Sequence, residues 1–214
     1  MRMRKKKHSA ERIEACAELL LKNPIDCFEK EDEIFGKKCP MLLEIGCGKG
    51  NFACGMAEQH PDVNFIAIER VSDVACIALE KAMACAQQRP DNLRFMIQDA
   101  RQLTELFAPH TFSRIYLNFS DPWPKERHAK RRLTHRRFLA IYFEVLKEDG
   151  QICFKTDNAG LFAFTLEELA QKYDNVKYMG MAPNSEIVKA EIKATLLVNP
   201  RPIGEDYTKY SFPS

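Results

Sequence analysis

The chain contains no run of about 18 consecutive apolar residues, so no membrane-spanning helix is expected. Its basic start, Met1-Arg2-Met3-Arg4-Lys5-Lys6-Lys7-His8, is not followed by the apolar stretch that a secretory signal requires. A cytoplasmic protein is the expectation. Its eight cysteines form no Cys-x-x-Cys pair, and no His-x-x-x-His accompanies them, so no metal site is expected. A chain of 214 residues can bury a real core without covalent staples. Cys16, Cys27, Cys39, Cys47, Cys54, Cys76, Cys85 and Cys153 are therefore expected as free, mostly buried thiols. Internal repeats and low-complexity segments are absent as well. The length fits one globular domain over 41–214, preceded by a basic arm and helix over 1–40. Tryptophan occurs once, at position 123.

Charge is distributed unevenly. Residues 1–8 carry five basic residues and no acid, and residues 121–137 carry seven basic residues against two acids. The net charge is +2, so the rest of the chain stands at −8. Two basic patches on an acidic body are the pattern of a polyanion-binding surface, whereas scattered charge serves only solubility.

Strand and helix patterns alternate along the chain. Ser9 as N-cap and the stripe Ile13, Ala17, Leu20 and Leu21 predict a helix over 9–22, stopped at Asn23-Pro24. Residues 24–40 lack periodicity and are expected as a loop. Strands are predicted at 41–45, 64–69, 93–97, 113–119 and 150–155, with two further strand-like runs at 176–181 and 191–198. Helices are predicted after Asn51 and over about 72–88, 101–107, 133–147 and 158–172, with Thr156-Asp157-Asn158 capping the last. This alternation implies an α/β fold, a doubly wound and mostly parallel sheet with helices on both faces. Ligands of such folds gather at the carboxyl ends of the strands. Every chemically loaded loop of this chain falls at such an end: 44–50, Glu69, Asp99, 118–125 and 155–158.

The first of these loops reads Glu44-Ile45-Gly46-Cys47-Gly48-Lys49-Gly50. Glycines there permit a tight turn and close backbone approach to a ligand. An acid at the end of the next strand, Glu69, suits ribose hydroxyls. The same logic serves NAD and S-adenosylmethionine. Three details favour the latter: the Gly-x-Gly-x-Gly spacing, an acid just before the loop where a cationic cofactor is welcome, and Asp99 within reach of an adenine amino group. Cys47 reads as small filler.

The richest stretch is Asn118-Phe119-Ser120-Asp121-Pro122-Trp123-Pro124-Lys125, followed by Glu126 to Leu133. Two prolines forbid helix and ladder, so the chain leaves the sheet as a rigid loop. A carboxylate can orient a nucleobase, an indole can stack, and the basic residues beyond can neutralise phosphates. If a methyl group is to be passed to a ring nitrogen with a free lone pair, no general base is needed. Asp121 and Asp157 can then orient the base and stabilise its developing charge, while Lys125 can bond a base oxygen or a phosphate. Guanine fits, because its N1–H and amino group donate while O6 accepts. His128 and His135 read as phosphate contacts or surface residues.

Together these residues resemble the bacterial-type tRNA (guanine-N7)-methyltransferase family. The likeness is carried by Leu43 to Gly50, Ile68-Glu69, Asn118 to Lys125 with Arg127 to Leu133, and Phe154 to Asn158, and it spans roughly residues 1–170. It implies a class I methyltransferase fold, S-adenosylmethionine as cofactor, and transfer of its methyl group to N7 of a guanosine in the variable loop of tRNA. It implies Glu44, Gly46, Gly48, Glu69, Asp99 and Asp121 as cofactor residues, with Asp121 also catalytic. Lys125 and Asp157 would contact the target nucleotide, and Arg127, His128, Lys130, Arg131 and Arg132 the RNA. The protein would be a monomer or homodimer. The tail departs from the family's Thr-x-Tyr-Glu motif: Thr195 is followed by Leu196-Leu197, and Thr208-Lys209-Tyr210 by Ser211. That departure supports a second reading, an RNA-binding protein of the same fold that is catalytically impaired.

Overall fold

Met41–Ile45 forms strand β1 and is buried at every position, as an apolar run inside a sheet covered on both faces must be. The computed structural model describes residues 8–22, 31–84 and 90–170, and the backbone of 176–180 and 194–198. The basic arm over 1–7, the segments 23–30 and 85–89, and the tail with Thr208 lie outside the described residues.

β2 (Asn64–Ile68), β3 (Leu93–Met96), β4 (Phe112–Asn118) and β5 (Leu146–Thr156) join β1 in one sheet. β6 (Val176–Gly180) and β7 (Ala194–Val198) complete it. The strand order is β3-β2-β1-β4-β5-β7-β6. β1 to β5 pair in parallel, and β7 runs antiparallel to both β5 and β6. The order reverses at β1, where β2 lies on one side and β4 on the other, and this is where a crevice opens beyond the strand ends.

Alternation along the strands sorts the core into two layers. Leu43, Ile45, Ile66, Ile68, Ile115, Leu117, Ile152 and Phe154 pack with Leu103, Phe138, Leu139, Tyr142 and Leu161. Those partners belong to α5 (Leu103–Leu106), α6 (Arg136–Val145) and α7 (Ala159–Ala170). Leu42, Phe65, Ala67, Phe95, Tyr116 and Cys153 face the other way, onto Ala53, Cys54, Ala57, Ala78, Leu79 and Ala82. These sit on α3 (Asn51–Gln59) and α4 (Ser72–Met83). The sequence-predicted fold class is thus the observed one. Among the described residues no helix is long and apolar enough to cross a membrane. Cys16, Cys39, Cys47, Cys54, Cys76 and Cys153 are thiols outside any disulfide, all but Cys39 buried.

Several boundaries differ from expectation. The predicted helix over 9–22 is α1 (Ser9–Glu14) followed by a 3-10 turn at Ala17–Leu19. Ser9 lies inside the helix, and His8 holds the N-cap position without a side-chain capping bond to the backbone. Leu19 is buried at 1% exposure, Leu20 bridges to Phe95, and Leu21 N–H donates to the Phe95 carbonyl at 2.8 Å. Pairing with the edge strand therefore competes with helix propagation and wins. α1 is clamped onto α4 by Arg12, whose Nε lies 2.6 Å from Glu80 Oε1. Within the expected loop over 24–40, Glu31–Phe35 forms α2, with Phe35 buried. Gly50, not Asn51, holds the N-cap position of α3, at φ +74°. β5 begins at Leu146, directly after α6, and a bulge near Phe112 absorbs the irregular start of its pairing with β4. At α7 the cap is Asn158, whose Oδ1 accepts from Leu161 N–H at 2.8 Å, while Thr156 Oγ1 accepts from Asn158 N–H at 3.1 Å. Asp157 itself is exposed and outside that capping pattern.

Candidate functional site

The glycine loop is laced to the end of β2. The N–H groups of Gly46 and Cys47 both donate to the Ile68 carbonyl, at 2.8 and 3.0 Å. Gly46, Gly48 and Gly50 hold φ of +75°, +58° and +74°, values that a side chain would make costly. A β-carbon at Gly50 would stand 2.9 Å from the β-carbon of Ala78, so this glycine also lets α4 approach the turn. Glu69 braces the loop: its carboxylate accepts from Gly48 N–H at 3.1 Å and from Val71 N–H at 2.9 Å.

Glu44 lies beneath this turn with 2% exposure. Asn118 at the end of β4 donates to its Oε1 at 3.1 Å, and Oε2 has no partner. Burial is the main cause that pushes the Glu44 carboxyl up to about 7, and the nearby Glu69 adds to it; Asn118 and the Ala53 N–H pull the other way. Burial first, then the charges of Glu44 and Glu69, hold the Cys47 thiol well above its ordinary range, so it is no nucleophile.

A cavity of about 590 Å³ opens at the carboxyl ends of β1 to β4. Its walls include Gly46, Glu69, Val71, Asp99, Phe119, Asp121, Trp123, Lys130 and Arg131. That volume lies within the usual range for small-molecule sites, about 300–1,000 Å³. Asp99 is already engaged: Arg101 donates to it from its backbone N–H at 3.0 Å and from Nε and a terminal nitrogen at 2.9 and 2.8 Å. These bonds hold the Asp99 carboxyl below its ordinary value. The pairing is local, two residues along the chain, and was not foreseen from the sequence.

The loop after β4 is built on strain and counter-bonding. Phe119 and Trp123 both adopt positive φ, +48° and +41°, which is rare for bulky side chains. Phe119 N–H is tied to the Lys155 carbonyl at 2.8 Å. Arg132 reaches back to the Pro122 and Trp123 carbonyls, both at 3.1 Å, and its guanidinium stacks 4.2 Å from the Phe164 ring centroid. This side chain holds the loop in shape, a role the sequence reading, which put it among RNA contacts, missed. Arg131 covers the Trp123 ring at 4.9 Å and His128 meets that ring edge-on at 5.7 Å. The 3-10 turn Glu126–Arg131 leaves Arg127, Lys130 and Arg131 exposed, as is Lys125 before it.

The structure thus brings Gly46, Glu69, Asp99, Asp121, Lys130 and Arg131 to one cavity. Glu44 is buried and Gly48 is half-buried within the glycine turn, both off the cavity wall, and Lys125, Arg127 and Asp157 are exposed outside that wall. The buried unpartnered oxygen of Glu44, the acid at Glu69 and the open glycine turn form a donor set suited to a cationic, ribose-bearing cofactor such as S-adenosylmethionine.

Comparison with known proteins agrees with this geometry. A protein-family model described as "Putative methyltransferase" matches residues 38–197. The tRNA (guanine-N(7)-)-methyltransferase of Lactococcus lactis subsp. cremoris is 45% identical over 170 residues, 79% of this chain and 77% of that one. The protein of the same name from Brevibacillus brevis is 51% identical over 148 residues, 69% of this chain and 68% of its own. In three dimensions, human methyltransferase-like protein 13, solved in complex with SAH, is similar with a TM-score of 0.57 at 18% identity, covering 95% of this chain and 86% of that one. This last likeness shows the fold. The chain has the class I methyltransferase fold and belongs to the methyltransferase family that includes the tRNA (guanine-N(7)-)-methyltransferases.

Proposed function

We propose that the protein transfers the methyl group of S-adenosylmethionine to N7 of a guanosine in the variable loop of tRNA. The observation that carries this reading is that Asp121 and Trp123 of the β4 loop line the same cavity as Glu69 and Asp99. A methyl acceptor held by the first pair would meet a cofactor held by the second. Family membership supplies the acceptor class.

Bound there, S-adenosylmethionine supplies an electrophilic methyl group on a sulfonium. Glu44, Gly46 and Gly48 hold its cationic end, Glu69 the ribose and Asp99 the adenine. N7 of guanine has a free lone pair, so the protein need not remove a proton. Asp121 is the catalytic residue in the sense that it orients the base through its N–H donors and offsets the charge that grows on it. Lys125 and Asp157 complete the contact with the nucleotide from outside the cavity. Arg127, His128, Lys130 and Arg131 bind RNA phosphates, and Arg132 shares that patch while bracing the loop.

The second reading, a binding protein that no longer catalyses, rests on the tail. Thr195, the residue nearest the family motif, is paired with Lys155 inside β7 and followed by Leu196-Leu197. The test is to incubate the protein with S-adenosylmethionine and tRNA lacking 7-methylguanosine, then quantify that nucleoside by mass spectrometry. Its appearance upholds the enzyme reading. Binding of cofactor and tRNA with no product replaces it with the second.

A further inference from the structure

Among the described residues two large apolar side chains are exposed, Val71 at 43% and Phe119 at 49%. Both line the cavity, one beside Glu69 and the other two residues from Asp121. An exposed phenyl ring forgoes favourable burial. Phe119 carries a second cost in its φ of +48°, where a bulky residue is strained. The neighbours hold it there: its N–H is bonded to β5 through the Lys155 carbonyl, and Arg132 grips the carbonyls of Pro122 and Trp123. Strain maintained by surrounding bonds at a cavity wall points to a ring kept ready for a ligand. The other aromatics of the wall are less available: Phe138 is buried, and Trp123 is half-buried with Arg131 and His128 packed on its ring.

We propose that Phe119 is the platform on which the target purine stacks, and that its ring favours the methylated, cationic base over the neutral one. This rests on the function proposed above. In the transfer, the N7 lone pair forms the new N–C bond, the sulfonium C–S bond breaks, and its electron pair stays on sulfur as a neutral thioether. The purine is left with a delocalised positive charge. An aromatic face attracts such a charge more than it attracts a neutral base, so the contact strengthens as the reaction proceeds. The ring already draws one cation, the Lys155 ammonium, at 5.7 Å from its centroid.

Two variants separate the ring from the backbone. Phe119→Asn removes the ring but suits the left-handed conformation, and Phe119→Tyr keeps the ring. With S-adenosylhomocysteine present, filter binding is measured for one tRNA with and without 7-methylguanosine in its variable loop. The wild type and Phe119→Tyr should prefer the modified tRNA by roughly 2- to 30-fold, and Phe119→Asn should bind both alike while still binding S-adenosylhomocysteine by calorimetry. A preference retained in Phe119→Asn, lost in Phe119→Tyr, or missing from the wild type overturns the proposal. If the wild type makes no 7-methylguanosine, the functional reading fails, and this binding ratio still decides the role of Phe119.

Discussion

Asn118 donates a hydrogen bond to Glu44 at 3.1 Å across 74 positions of sequence and leaves the second carboxylate oxygen buried without a partner. The bond joins the end of β1, just before the glycine loop, to the end of β4, just before the loop that carries Asp121. It also sets a titration. The Glu44 carboxyl is raised from 4.5 to about 7 in the fold, because burial disfavours its ionised form. A raised carboxyl contributes stability that is present below pH 4.5 and is lost as pH rises through 7. The loss is on the order of 3 kcal/mol. Glu44→Gln should therefore unfold with a flatter pH dependence between about pH 4 and 8 than the wild type in the absence of cofactor, as measured by urea denaturation. An equally steep profile in the variant would remove Glu44 as its source.

The same group predicts the pH dependence of cofactor binding. A cationic cofactor pairs with the ionised carboxylate, so S-adenosylmethionine affinity should fall as pH drops below about 7. Calorimetric titrations about one pH unit below and above that value read this directly, and Glu44→Gln should show weak binding at both.

Asp121→Ala should abolish turnover, by roughly 100-fold or more in rate, while leaving most RNA affinity. The check pairs the nucleoside assay with filter binding of tRNA. Equal losses in both would show that Asp121 is a binding residue only.

The basic residues of the turn should fall into two groups. Lys125→Ala, Arg127→Ala and Lys130→Ala should each weaken tRNA binding and reduce its salt dependence, by about 0.7–0.9 in the log–log slope for every phosphate no longer neutralised. Arg132→Ala should behave otherwise. It frees the carbonyls of Pro122 and Trp123 and should cost roughly 1–3 kcal/mol of stability, read as a lower Tm. An unchanged Tm would return Arg132 to the RNA-binding group alone.

Gly50→Ala should destabilise the protein by roughly 1–3 kcal/mol in chemical denaturation. It forces a side chain into φ +74° and within 2.9 Å of Ala78. Gly48→Ala carries the conformational cost without the collision, because nothing lies within 4 Å of its added carbon. It should lose less stability.

What the sequence by itself determined is what depends on local pattern. Apolar runs bounded by turn residues marked β1 to β5, the alternation with helices dictated a doubly wound sheet, and the position of each acid at a strand end put Glu69, Asp99 and Asp121 on one edge. Local capping was legible in type but not in place, since Thr156, Asp157 and Asn158 can each cap and only backbone direction selects Asn158. The tertiary structure alone decided partners and burial. Leu20 and Leu21 leave a helical pattern because the edge of β3 offers them a better bond. Arg132 reads as one more phosphate ligand until Phe164, far along the chain, and the carbonyls of the β4 loop claim it. Glu44 reads as a strand-end acid offered to a cationic cofactor until Asn118 and Ala53 of α3 close over it and burial raises its titration. Such contacts join residues far apart in the chain, and their energies depend on which surfaces the fold removes from water. Neither quantity is a property of a short stretch of sequence.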